Sequence, residues 1–284
     1  MNIQTLLLDS LNTRWGKYKA ELKICRQEFS EEAVHDFRVA ARRLLAFLDL
    51  LRMMFQDQGI KKTRRVLKDQ LDALDELRNT QVLLADMSEV IHETPALQPF
   101  QEYLQHKEKK LLRAARKEIR SLKLASLAKR IRKLDQMIQA AKKTDLSTSL
   151  FSVVDEAYAV VNQRYALIDL GQPATIHRVR LAFKKFRYML EVVSPILQDL
   201  PSDHLKKLHD YQSAMGDIQD AEVALQELAN FDQHAPASYD PEPAHSYYKE
   251  RHAIALAGYI EDKGEIITFW RTARDQPFPQ EKRT

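Results

Sequence analysis

The sequence contains one cysteine, six glycines and no apolar run of the roughly 18 residues that a membrane-spanning helix needs. The lone cysteine, Cys25, excludes an intrachain disulfide and is typical of a reducing compartment. Scarce glycine, together with abundant Leu, Ala, Glu, Lys, Arg and Gln, favours helix throughout. Because residues 1–5 lack a charged start followed by an apolar segment, we expect no signal peptide and a cytoplasmic location.

Charge is distributed unevenly along the 284 residues, although the net charge is only +4. Residues 106–133 carry twelve Lys or Arg against two Glu, a net of +10. Residues 215–265 carry eleven Asp or Glu against three Lys or Arg, a net of −8. The basic segment favours a polyanionic partner, although ordinary solvated helix surfaces explain the same composition equally well.

Apolar residues recur at helical spacing between proline breaks, and alternating strand patterns are absent. The spacing predicts helices over residues 2–27, 31–55, 60–91, 97–121, 124–142, 147–168, 174–197, 202–230 and 245–272. We expect Ser30 to cap the second of these helices, and Ser202 or Asp203 to cap the eighth. With 44% hydrophobic residues, the chain can bury a substantial core.

One sequence pattern occurs twice. Residues 34–43 return as residues 176–185, at an offset of 142 positions. Each copy keeps a histidine, an arginine three positions later, and a basic pair seven and eight positions after the histidine. A second match relates residues 67–82 to residues 208–223 at an offset of 141. Core packing requires apolar residues at helical spacing but no repeated basic residues, so the basic positions indicate a function.

A helical wheel separates an apolar stripe from a cationic face in each copy. The stripe runs from Phe37 to Leu51 in the first copy and from Val179 to Val193 in the second. Like charges spaced four residues apart repel each other, and no carboxylate intervenes on either cationic face. An anion between the two helices would relieve this repulsion, because arginine offers paired donors to phosphate oxygens and lysine a compact charge.

The two motifs, in this order, resemble the CHAD family, the conserved-histidine α-helical domain. The resemblance is carried by His35-x-x-Arg38-x-x-x-Arg42-Arg43, by His177-x-x-Arg180-x-x-x-Lys184-Lys185-x-Arg187-Tyr188, and by the segments Leu74–Asn79 and Met215–Asp220. It implies an all-α fold in which two pseudo-symmetric four-helix repeats pack around a basic central groove. We expect one domain over 1–284, with repeats at about 1–145 and 146–272 and a tail at 273–284.

Three positions depart from the pattern of the family. Leu45 stands where an arginine is frequent, Asp75 where a glycine is usual, and Asn79 where an aspartate is usual. These departures raise the question of whether the two halves contribute equally to binding.

The resemblance implies that the protein binds inorganic polyphosphate. The residues predicted to contact it are His35, Arg38, Arg42, Arg43, His177, Arg180, Lys184, Lys185, Arg187 and Tyr188. A candidate secondary anion surface is formed by Lys110, Arg113, Lys117 and Arg120, for which a solvated helix face is at least as good an interpretation. The basic residues could instead form internal salt bridges to Asp69, Asp210, Asp217 or Asp220, and the histidines could bond a neighbouring acid or a metal.

We expect a non-catalytic protein without cofactor or metal, and the resemblance suggests attachment to polyphosphate granules. A phosphohydrolase or phosphoryl-accepting enzyme would need metal-holding carboxylates, and no acid cluster stands beside either motif. Zinc is disfavoured because neither H-x-x-x-H nor C-x-x-C occurs. A nucleic-acid module would need several stacking aromatics, whereas Tyr188 is the only aromatic residue on the two cationic faces. A purely structural scaffold is a further alternative.

Overall fold

The computed structural model describes residues 2–197 and 200–271. Within these ranges the chain is helical and has no β-strand, so the all-α prediction is confirmed. The α-helices are α1 (Ile3–Gln27), α2 (Glu31–Phe55), α3 (Gln58–Asp72), α4 (Asp75–Val90), α5 (Gln98–Ser121), α6 (Leu124–Ala140), α7 (Lys143–Tyr165), α8 (Pro173–Val193), α9 (His204–Asp232) and α10 (Glu242–Asp262). Short 3₁₀ helices lie at Pro95–Leu97, Ser194–Ile196 and Lys263–Thr268. None of the helices described has an apolar stretch long enough to cross a membrane.

Capping residues define the connection between α2 and α3. The hydroxyl of Ser30 accepts a 3.1 Å hydrogen bond from the amide of Ala33, which confirms Ser30 as the cap of α2. Gln56 ends α2 in the left-handed conformation, with a φ of 50°. Asp57 then caps α3 by accepting a 3.0 Å hydrogen bond from the amide of Ile60. The chain therefore reverses between the two helices within two residues.

The single helix predicted over residues 60–91 is wrong, because two helices, α3 and α4, occupy this range. At the break, the carbonyl of Leu71 accepts 3.0 Å hydrogen bonds from the amide of Leu74 and from the guanidinium of Arg38. A carbonyl held by the amide three residues ahead tightens the turn and interrupts the α-helix. Apolar periodicity continues across this turn, so the sequence pattern alone does not indicate it.

The helices predicted over 174–197 and 245–272 are too long at their C-terminal ends. α8 and α10 each finish several residues earlier and continue as a 3₁₀ helix. After α8, Pro195 lacks the amide hydrogen that an α-helix would require at that position. The other predicted helices agree with the structure to within a few residues at each end.

Helix packing follows the same order in both halves of the chain. α1 packs on α2, and α2 on α3, while α7 packs on α8, and α8 on α9. The apolar stripes of α2 and α8 are buried as predicted, with Phe37, Phe47, Phe183 and Phe186 among the fully buried side chains. Burying a phenylalanine contributes about 1.5–3 kcal/mol of stability. α2 and α8 also pack on each other, whereas pseudo-symmetry and a central groove stay predictions.

Asp155 on α7 fixes the segment that follows the last 3₁₀ helix. Its Oδ1 accepts hydrogen bonds from the indole of Trp270 at 2.7 Å and from Arg271 Nε at 3.0 Å, and its Oδ2 accepts from Arg271 Nη2 at 3.0 Å. Trp270 is buried, with its ring centroid 6.1 Å from that of Phe186. This contact covers the apolar side of α8 and so helps to hold its cationic face in place.

We predict that Asp155→Ala lowers the free energy of unfolding by roughly 2–4 kcal/mol, because a buried indole and a guanidinium lose their shared acceptor. Urea denaturation measures this change. Asp210→Ala is the control, since it removes only an exposed pair with Lys206 and should cost less than about 1 kcal/mol. Equal losses in the two variants would contradict the assignment.

Candidate anion-binding site

The contact between α2 and α8 brings cationic side chains of both sequence copies together. The charges of Arg38 and Arg42 on α2, and of Arg180 and Arg187 on α8, all act on the ammonium of Lys184. We call these five residues the central cluster. The structure therefore unites residues that lie about 140 positions apart in the sequence.

Three members of the central cluster, Arg42, Arg180 and Lys184, have neither an ion pair nor a hydrogen bond to any residue that the structure describes. All three are half-buried. The Nε atom of Arg180 is fully buried and unpaired. Neighbouring like charges without a counterion repel, most strongly where solvent is partly excluded. These side chains are therefore free to meet an anion from outside the fold.

Within the central cluster, the pKa of Lys184 is shifted most by this environment. Burial, followed by repulsion from Arg42, lowers its pKa to about 7. Repulsion from Arg180, Arg187 and Arg38 acts in the same direction. The ammonium therefore loses its proton near neutral pH, and an anion touching the cluster would raise this pKa again.

Arg38 is buried and bonded to groups within the protein. The residue is 1% exposed, and its Nη1 donates a 3.0 Å hydrogen bond to the carbonyl of Leu71. Its Nη2 donates to Oδ1 of Asp75 at 2.6 Å. Burial and the neighbouring Arg42 lower the pKa of Arg38, while Asp75 opposes this effect. Asp75 is not among the acids predicted as salt-bridge partners, although its departure from the family pattern marks it in the sequence.

Arg187 is also held by neighbours within the protein. Its Nε donates a 3.0 Å hydrogen bond to Oε1 of Gln212, and its Nη1 lies 3.1 Å from Oε1 of Glu191. Its guanidinium lies 4.7 Å from the centre of the Tyr188 ring. The sequence prediction missed Gln212 and Glu191, although the spacing of four residues between Arg187 and Glu191 is itself a signal for a helical ion pair.

Arg180 lies against the backbone of α9 at Gly216. A Cβ atom at this glycine would stand 3.3 Å from Nη2 of Arg180, which is a tight contact. Burial lowers the pKa of Arg180, Asp220 opposes this shift, and Arg42 adds to it. Asp217 attracts Arg180 as well, but neither acid forms an ion pair with it. Both carboxylates therefore act on the charge of Arg180 without forming an ion pair with it.

Both signature histidines are half-buried beside arginines. Burial and then Arg78 lower the pKa of His35, and burial and then Arg180 lower the pKa of His177. The side chain of Gln219 acts on His177 in the opposite direction and so partly opposes this shift. Across the described ranges, no group of three or more His, Cys, Asp or Glu is placed to hold a metal ion.

The two remaining basic residues of the motifs lie apart from the central cluster. The ammonium of Lys185 lies 3.7 Å from the sulfur of Met53, and burial lowers its pKa while Asp49 opposes the shift. Arg43 is exposed, and its charge acts on Arg14 and Lys17 of α1. Lys185 and Arg43, which lie at the edges of the cationic faces on the helical wheel, therefore have different neighbours from the central cluster.

The predicted secondary surface lies along α5. Its members, Lys110, Arg113, Lys117 and Arg120, are all exposed. Their exposure fits both the anion surface and the solvated helix face, so anion binding there stays a prediction.

Comparison with known proteins identifies the family of this chain. The family model of the CHAD domain matches residues 11–229. The crystal structure of the CHAD domain from the plant Ricinus communis is similar, with a TM-score of 0.75, 19% identity, and coverage of 94% of this chain and 92% of that one. PptA from Streptomyces chartreusis has a TM-score of 0.69 and 16% identity, with coverage of 95% and 99%. A comparison with curated proteins gave no match. The family model spans most of the sequence, and the chain therefore belongs to the CHAD domain family.

Proposed function

We propose that the protein binds inorganic polyphosphate at the central cluster and does not act on it chemically. The observation that carries this proposal is the convergence of three unpaired cations, Arg42, Arg180 and Lys184, from both signature helices. Membership of a family that is linked to polyphosphate supports the same ligand. A flexible polymer with a negative charge on every phosphate suits such a cluster, because consecutive groups can approach cations on both helices.

Each cation has a distinct part in this proposal. Arg42 and Arg180 donate paired hydrogen bonds to phosphate oxygens, and Lys184 contributes a compact charge. His35 and His177 lie beside the cluster and add donors at the two ends of the bound segment. Arg43, Lys185 and the α5 surface would act on more distant phosphates of a long chain. The same contacts would attach the protein to polyphosphate granules.

Two alternatives receive less support from the site. Phosphoryl transfer usually relies on carboxylates that hold metal ions beside the reacting phosphate, whereas neighbouring basic side chains lower the pKa of both signature histidines. Single-stranded nucleic acids are bound by stacking of bases on free aromatic rings. The ring of Tyr188 already lies against the guanidinium of Arg187.

We predict that the double variant Arg180→Gln/Lys184→Met lowers the affinity for long-chain polyphosphate by roughly 100-fold, since two charge-assisted contacts are lost. The matched control is Arg178→Gln/Lys206→Met, which removes the same charge from exposed positions on α8 and α9. We expect it to weaken binding less than about threefold. Calorimetric titration at fixed salt measures both, and thermal melts verify folding.

The same titrations discriminate between the candidate functions. Equal losses in the two double variants would contradict the central cluster and indicate non-specific charge attraction. Release of orthophosphate in the presence of Mg²⁺ or Mn²⁺ would support the enzymatic alternative. Equal competition by DNA at matched salt would support the nucleic-acid alternative. Complete absence of polyphosphate binding by the wild type would favour the scaffold.

We predict that the affinity for long-chain polyphosphate falls as the pH rises from about 7 to 9. The lysine at position 184 has a pKa of about 7 without ligand, and a bound anion raises it, so binding above pH 7 takes up a proton. One linked proton reduces affinity by up to about tenfold per pH unit. Below pH 7 the lysine is already protonated and adds no slope.

The variant Lys184→Arg provides the control for this pH dependence. Arginine stays protonated over the whole range, so the slope between pH 7 and 9 should disappear while binding persists. The other groups that act on Lys184 are arginines, and both histidines have lowered pKa values and titrate below this window. A slope that persists in Lys184→Arg would refute the role of Lys184.

A further inference from the structure

The two sequence copies place an arginine in the same position but give it different neighbours. Arg38 and Arg180 correspond at the offset of 142, and Asp75 and Gly216 correspond at the offset of 141. In the structure, Arg38 bonds Asp75, and Arg180 lies beside Gly216, where an added Cβ would stand 3.3 Å from its Nη2. The corresponding position is therefore next to the arginine in both halves, with a carboxylate in the first and no side chain in the second.

We propose that Asp75 is a built-in counterion that occupies, beside Arg38, the place that a phosphate group takes beside Arg180. This inference rests on the proposed binding of polyphosphate and specifies which half of the site receives it. The second copy and Arg42 then hold the polyanion, while in the first copy Asp75 balances the charge of Arg38.

The contacts of Arg38 support this assignment. Its Nη1 is held by the carbonyl of Leu71 at 3.0 Å, and its Nη2 by Oδ1 of Asp75 at 2.6 Å. The side chain of Arg38 is 2% exposed, whereas that of Asp75 is 53% exposed. The carboxylate therefore lies between the guanidinium and solvent, where an approaching phosphate would have to replace it.

Gly216 leaves the corresponding approach to Arg180 without a carboxylate. Arg180 is half-buried rather than fully buried, and it has no ion pair among the described residues. Asp217 and Asp220 attract it without forming an ion pair. The positive charge of Arg180 is therefore available at the place where the charge of Arg38 has been neutralised.

The charges of the cluster show the same imbalance. Arg38 is paired with Asp75, and Arg187 with Glu191. In the first copy, Leu45 stands at the position equivalent to Arg187. The unpaired cations are then Arg42 from α2 against Arg180 and Lys184 from α8. Asp75 also repels phosphate directly, since its own charge is exposed.

The test begins with Asp75→Asn, which keeps an acceptor for Arg38 but removes the charge. We expect at least a threefold gain in affinity for long-chain polyphosphate. We also expect a steeper dependence on salt, by about 0.7 in the slope of log K against log salt, because one more phosphate contact forms. Asp75→Gly reproduces the residue of the second copy and should give the same gain or a larger one.

The mirror variant is Gly216→Asp, which supplies Arg180 with a carboxylate and should weaken binding at least tenfold. Gly216→Ala adds only the Cβ atom and separates crowding from charge, so it should retain most of the affinity. Asp69→Asn removes an equal charge from an exposed position on α3 and should change affinity by less than about 1.5-fold.

The outcomes separate this inference from the proposed function. Absence of binding by the wild-type protein would overturn both. Wild-type binding that Asp75→Asn and Asp75→Gly leave unchanged would overturn only the counterion role of Asp75. A gain in Asp69→Asn as large as that in Asp75→Asn would also overturn it, because the effect would then come from net charge. Thermal melts of each variant verify that the measured protein is folded.

Discussion

Apolar packing of α2 on α1 and of α8 on α7 and α9 brings the cations of α2 and α8 together, and the candidate site depends on this constraint. Phe37 and Phe47 on one helix and Phe183 and Phe186 on the other are fully buried, which fixes the direction that the opposite faces take. The resulting repulsion opposes folding, since Lys184 is partly desolvated and surrounded by arginines. Burial of several aromatic side chains offsets this cost, at about 1.5–3 kcal/mol each. Relief of this repulsion would favour the proposed binding of an anion.

The corresponding arginines of the two halves, Arg38 and Arg180, have different electrostatic surroundings. In the first half, a carboxylate at Asp75 neutralises a buried arginine, which also bonds the carbonyl of Leu71 at the turn between α3 and α4. In the second half, α9 continues without interruption past Gly216, and Arg180 keeps a free charge. A duplicated sequence therefore yields one half in which the arginine is paired within the fold and another in which it lies unpaired in the central cluster.

Much of the fold could be predicted from the sequence because apolar spacing and capping residues act locally. The buried stripe from Phe37 to Leu51 and the cap at Ser30 are examples. The break after α3 could not be predicted, since apolar periodicity continues across it and one donor to the carbonyl at the break, Arg38, lies more than thirty positions away. A helical wheel also assigns the same face to paired and unpaired cations. Whether an arginine on this face is paired, as Arg187 is, or unpaired, as Arg180 is, depends on side chains from other turns and helices.

The hydrogen bond between Arg38 and the carbonyl of Leu71 has an evolutionary consequence. Loss of this arginine would leave the carbonyl of Leu71 without one of its donors and the carboxylate of Asp75 without its partner. Selection for stability alone would then preserve Arg38 in a descendant that no longer meets any ligand. Retention of this arginine in a relative with the same acid therefore indicates a structural role. Retention of Arg180 opposite a glycine is the better indicator of inherited ligand affinity.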